Sequence, residues 1–185
     1  MDILLLGITI FFGVHLVPSF VNFRKKAING LGEARYKGLY SITALLGLVL
    51  IIYGMSEAEY QPIWEPPYWS RKVVIVTMLL VFYLFVAADM KSNIKRFIRH
   101  PMLFGVFLWS CVHLFANGDL ASITLFGSFA IYSLFAIVSA NLRGALLQTE
   151  KYPVKNDIGS FIAGLVAYAV FVLVIHPYLI GVPVI

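Results

Sequence analysis

The chain has 185 residues, of which 61% are hydrophobic and only 12% charged, and its formal net charge is +5. A soluble domain of this length is about half apolar and a quarter charged, so an ordinary soluble fold is excluded and lipid is the expected surrounding. The single cysteine, Cys111, leaves neither a disulfide framework nor a cysteine-rich zinc site.

Crossing a hydrocarbon core of about 30 Å takes about 20 helical residues. Six apolar runs meet that need: Ile3 to Phe23, Gly38 to Met55, Val73 to Ala88, Ile98 to Ala116, Leu120 to Leu142, and Ile158 to about Leu179. The expected fold is all-α, a polytopic membrane bundle of about six transmembrane helices, with one domain over residues 1–185. The first run has no basic leader and no small-residue cleavage site before the polar break at Asn22 to Lys26, so it is expected to stay as the first helix.

If the helices alternate, the first, third and fifth connections hold Arg24, Lys25, Lys26, Arg35, Lys37, Lys91, Lys95, Arg96, Arg99, Arg143, Lys151 and Lys155, twelve of the 14 basic residues. The other side keeps Arg71 and Lys72 with Asp2, Glu57, Glu59, Glu65 and Asp119. The positive-inside rule then puts both termini on the non-cytoplasmic side. Short basic loops beside apolar helices have their cause in topology and in anionic lipid, so no nucleic-acid partner is expected.

The longest outer connection, Ser56 to Ser70, is stiffened by Pro62, Pro66 and Pro67 and carries Trp64, Tyr68 and Trp69, which suit the headgroup layer. It reads as an interfacial anchor or as a substrate lid. Asn117-Gly118-Asp119 predicts a tight hairpin, with Gly118 left-handed and Asp119 capping the next helix. Close helix approach is predicted at Gly127 and Ser128, Gly159 and Ser160, and Ala163 and Gly164.

Ionisable side chains within lipid are costly and tend to be functional, which singles out the four histidines. His15, in Gly13-Val14-His15-Leu16-Val17-Pro18, is either a hydrogen-bonding residue or a metal or haem ligand. His113 lies inside the fourth run without a nearby charge, so its imidazole is expected to be neutral, the form that ligates iron. His100 fits a capping position before Pro101 and could alternatively contact a lipid or substrate headgroup. His176, before Pro177, is a structural residue or an accessory ligand. No catalytic triad, phosphate loop, paired buried carboxylates or histidine pair at i, i+4 spacing is present. Imidazoles in apolar, aromatic surroundings suit haem iron.

The chain resembles the NnrU family from end to end. The resemblance rests on Gly13 to His15, Gly32-Glu33, Tyr36 to Ser41, Gly47 through Gly54, and Trp64-Glu65-Pro66-Pro67. It continues with Arg99-His100-Pro101-Met102-Leu103-Phe104-Gly105, Trp109, His113-Leu114, Asn117-Gly118-Asp119-Leu120, Phe126 to Phe129, Asn156-Asp157, and His176 to Val182. It implies a multi-pass protein of the bacterial inner (cytoplasmic) membrane associated with nitrite and nitric oxide metabolism, that is, denitrification. The family is also similar to the plastid 15-cis-zeta-carotene isomerase, which implies haem b with His15 and His113 as axial ligands, and His100 in the shared Arg-His-Pro motif. At about 1.5 Å per residue His15 is expected roughly 18 Å from the outer surface and His113 about 6 Å, close to the depth of His176. A His113 and His176 pair is therefore the rival ligand set. The Arg-His-Pro start is similar, too, to isoprenylcysteine methyltransferases and sterol reductases, but those carry further charged determinants downstream, whereas Asp157 and Lys155 are the last acid and base here.

Three functions follow as expectations, and none assigns a catalytic residue. The chain is a haem-dependent isomerase or redox enzyme for a hydrophobic small molecule such as a polyene, a non-catalytic assembly factor for nitrite or nitric oxide reductase components, or a plain scaffold.

Overall fold

The computed structural model describes residues 1–181, so Val182 of the last resemblance segment lies outside the described residues. The elements are α1 (Asp2–Leu16), α2 (Val21–Leu31), α3 (Glu33–Ser56), α4 (Ser70–Asp89), α5 (Pro101–Ala116), α6 (Leu120–Leu142), α7 (Val154–Val170) and α8 (His176–Ile180). Among the described residues there is no strand, only an isolated antiparallel bridge between Pro62 and Asp119. Five helical segments are long and apolar enough to cross a membrane: Asp2–Ser19, Glu33–Ser56, Ser70–Asp89, Leu120–Leu142 and Val154–Leu179. The fourth run is shorter than expected. Pro101 starts α5, which leaves a largely apolar helix of 16 residues, about 24 Å long.

The first run is not one helix. It ends at Leu16, passes through a 3-10 turn at Val17–Ser19, and resumes as α2 after Phe20. Pro18 has no N–H for the carbonyl four residues back and its ring crowds that carbonyl, which stops α1. Arg24, Lys25 and Lys26 then fall on a separate helix with no buried residue. Pro177 acts similarly in the last run, where the chain passes through a π-helical turn at Phe171–Ile175 between α7 and α8.

The long helices stand in a row ordered α3, α1, α6, α5, α4, α7. The core is thin, with Leu4, Ile51, Ala121, Leu125 and Phe126 forming one buried cluster. Large apolar side chains such as Ile42, Leu45, Val76 and Ile131 face outward, as expected where lipid replaces water. With little hydrophobic drive between helices in lipid, small residues decide which faces meet. Added Cβ atoms would come 2.6 Å from Ile51 N at Gly7, 2.7 Å from Phe11 N at Gly47, and 2.6 Å from Leu4 Cα at Gly54. These three glycines form the antiparallel α1–α3 seam. Of the small residues named from sequence, Gly164 meets Tyr83 and Ser160 is buried, but Gly127 and Gly159 have nothing within 4 Å and are not packing positions. The cause is rotational. Glycine spacing marks a helix face, but only the neighbour's position makes it a contact.

The connections are pinned at both ends. At one, Ile63 N and Trp64 N donate to Gly118 O (2.8 and 3.1 Å), and Leu120 N donates to Gln61 O (2.9 Å). Gly118 does not have positive φ, contrary to the expected left-handed turn. It is required because a Cβ would strike the Trp64 carbonyl. Asp119 does cap α6, accepting from Ser122 N at 2.9 Å.

At the basic end, Asp157 Oδ1 accepts from Ser92 Oγ (2.9 Å) and Asn93 N (2.7 Å), while its Oδ2 accepts from Asn93 Nδ2 (2.6 Å). Asn93 also exchanges hydrogen bonds with the Tyr152 backbone at 2.9 Å each. This clasp ties the 90–100 connection to the start of α7. Asp157→Ala should cost about 1–2 kcal/mol, reduced from the about 1.5–3 of a charged hydrogen bond by solvent contact. Limited proteolysis should then cut between residues 90 and 100. Wild-type resistance in the variant would show that the clasp holds nothing.

Candidate functional site

A histidine in lipid must satisfy its ring N–H locally, and both embedded histidines do so in the same way. His15 Nδ1 lies 2.6 Å from Phe11 O and His113 Nδ1 lies 2.8 Å from Trp109 O, each the carbonyl four residues back on its own helix. A carbonyl only accepts, so each Nδ1 carries the hydrogen, and in the neutral imidazole each Nε2 presents a lone pair. This is the tautomer that a metal-ligating Nε2 requires, with the outer hydrogen bond fixing the ring.

The surroundings are aromatic. His15 stacks on Phe11 with ring centroids 4.1 Å apart and meets Tyr40 and Tyr132 edge-on at 5.5 and 6.0 Å. Tyr132 reaches from α6 to donate to His15 O at 3.2 Å. Tyr36, one ring beyond Tyr40, has a buried hydroxyl without a hydrogen-bond partner, a group suited to a water or a polar ligand atom. His113 lies 5.4 Å from Trp109 and 4.8 Å from Phe126.

Between the two histidines runs a chain of rings. Phe11 meets Phe129 at 5.5 Å, and Phe129 meets Trp109 at 5.1 Å. On α6, His113 is beside Phe126 and His15 beside Tyr132, six residues on, or about 9 Å along the axis. The two imidazoles thus occupy one aromatic layer formed by α1, α6 and α5 but different depths, and Phe129 stands between them. His176, which follows the π-helical turn, has Phe171 at 5.9 Å.

The remaining motif residues are not in this layer. Asn117 Nδ2 donates to His113 O at 2.8 Å, closing the end of α5, and Asp119 caps α6. Arg99 and His100 lie at the opposite end of α5, where His100 is the residue before the helix and Pro101 its first residue. Both converge on Asn141 Oδ1, Arg99 Nη1 at 2.7 Å and His100 Nε2 at 3.0 Å. Asn141 was not singled out from the sequence. It is the last polar side chain before Leu142 ends an apolar run, and no local signal names a partner 41 residues away.

Among the described residues, no group of three or more His, Cys, Asp or Glu side chains could hold a bare metal ion. A porphyrin supplies four ligands itself and asks the protein for one or two imidazoles and an apolar pocket. The imidazoles of His15 and His113, each with Nδ1–H held by its own helix, are of the donor type that chemistry uses.

Comparison with curated proteins and with solved structures finds no match. A protein-family model, described as NnrU protein, matches residues 3–184.

Proposed function

The chain belongs to the NnrU family over nearly its whole length, and from that premise we propose that it is a haem-binding inner-membrane protein of bacterial nitrite and nitric oxide metabolism. The observation that supports haem is the matched pair of imidazoles, each with Nδ1–H held by its own helix and Nε2 left for a ligand. With α5 as a sixth crossing beside the five longer apolar helices, the positive-inside rule would put the basic connections on the cytoplasmic side. Haem b would supply an iron that changes oxidation state and takes up a further ligand. The protein's part is to offer His113 with either His15 or His176, and to keep water away with Trp109, Phe126 and Phe129. His113 belongs to both candidate pairs. The depth offset of His15 favours testing His176 beside it.

The test is an absorption spectrum of detergent-purified protein, oxidised and dithionite-reduced, with His15→Ala, His113→Ala and His176→Ala in parallel. Wild type should show a b-type spectrum near one haem per chain. His113→Ala should lose it, and whichever of the other two variants loses it names the second ligand. Colourless wild type from haem-replete cells would end the haem reading and leave the assembly-factor reading, which requires a physical partner among nitrite or nitric oxide reductase components. Where haem is present, cis–trans conversion of an added polyene by the purified protein would favour the isomerase reading.

A further inference from the structure

At the basic end, the start of α5 and the end of α6 enclose an open groove of about 260 Å³ lined by Phe97, Ile98, Arg99, His100, Phe104, Ile137, Asn141 and Leu147. Its polar side is built on Asn141. Arg99 can only donate, so the atom it meets on Asn141 is the amide oxygen, and His100 Nε2 must also donate to that oxygen. Asn141 thereby orients a guanidinium without neutralising it.

Among the described residues the single ion pair is Lys37 with Glu33, so no carboxylate offsets Arg99. Four of its five N–H donors have no partner among the described residues. The opposite side of the groove is apolar, and Phe97, 76% exposed, offers a ring at its edge. Pro101 begins an apolar helix directly after His100, which sets the groove where a hydrocarbon core gives way to headgroups.

A site joining an un-neutralised arginine fork to an apolar wall at that depth matches an amphiphile with an anionic head. Its volume is below the range of about 300–1,000 Å³ typical of pockets that enclose a whole ligand, which suits a headgroup whose chains stay in the bilayer.

We propose that the Arg99–His100–Asn141 groove binds the phosphodiester headgroup of one anionic bilayer phospholipid, with Phe97, Phe104, Ile137 and Leu147 against its first acyl carbons. The site is separate from the histidine layer and does not depend on haem.

Native mass spectrometry of the full chain released from micelles, titrated with phosphatidylglycerol or phosphatidylcholine, tests this. One phosphatidylglycerol should be retained per chain, with a preference of about ten-fold over phosphatidylcholine, the scale of one charge-assisted contact. Arg99→Gln should lower occupancy about ten-fold, and Asn141→Leu, which keeps the charge but frees the fork, about three-fold. Lys151→Gln, an exposed cation outside the groove, should leave occupancy unchanged. Equal binding of the two lipids would overturn the proposal, as would an equal loss in Lys151→Gln. Displacement of the lipid by an equal concentration of glycerol phosphate would overturn it in favour of a soluble anion. If Arg99→Gln does not fold, the wild-type preference and Asn141→Leu decide.

Discussion

Gly118→Ala is expected to detach the 57–69 connection from the α5–α6 turn. The new methyl group would lie 2.9 Å from Trp64 C and strike its carbonyl oxygen, and neither atom belongs to a side chain that could swing away. Relief requires the two connections to part, which breaks the two bonds to Gly118 O and the bond from Leu120 N to Gln61 O. At about 1 kcal/mol net for each, the loss is about 3 kcal/mol. Hydrogen exchange should accelerate at the Ile63, Trp64 and Leu120 amides, and Trp64 fluorescence should shift. Wild-type protection factors in the variant would mean that the connection does not depend on this contact. The outcome also bears on whether the segment acts as an anchor or as a lid, because a segment pinned by backbone hydrogen bonds to a hairpin is anchored in this state. Trp69 adds to the anchoring by packing on Phe115 at 5.2 Å.

Gly54→Leu should open the α1–α3 seam, whereas Gly127→Leu should be tolerated. At Gly54 a Cβ already lies within 2.6 Å of Leu4 Cα and 3.0 Å of Ile3 C, so the helices must separate to admit any side chain. Overpacking costs about 1–3 kcal/mol where side chains can adjust, and backbone obstacles put this change at or above the upper end, about 3 kcal/mol. At Gly127 nothing lies within 4 Å. Unfolding in mixed micelles titrated with SDS should show the difference, and spin labels on α1 and α3 should report a longer distance in Gly54→Leu. Equal stability of the two variants would refute the seam. Displaced α1 would also carry Phe11 and His15 away from Phe129, so if the proposed haem is bound through His15, Gly54→Leu should retain less of it without any change to a histidine.

The legibility of the helices followed their boundaries. Leu120 to Leu142 was read from sequence and is α6 in the structure, because a capping aspartate and a terminal arginine bracket an unbroken apolar run. The first run misled because hydropathy continues through Pro18 into Phe20 and Phe23 although the hydrogen-bond ladder cannot. Pro101 likewise shortened the fourth run to 16 residues, since hydropathy does not register where a helix begins.

Composition and run length alone determined an all-helical chain suited to lipid, and the scarcity of other buried ionisable groups alone directed attention to His15, His113 and His176. Those properties are local, since hydropathy and the i−4 carbonyl bond of an imidazole depend on a few consecutive residues. Only the tertiary structure decided that α6 stands between α1 and α5, so that Phe129 separates the two histidines, and that Asn141 gathers Arg99 and His100. It also decided which glycines are contacts. In lipid one apolar face is nearly as favourable as another, so the choice of neighbour passes to close approach at Gly7, Gly47 and Gly54 and to hydrogen bonds between distant connections, neither of which a linear pattern contains.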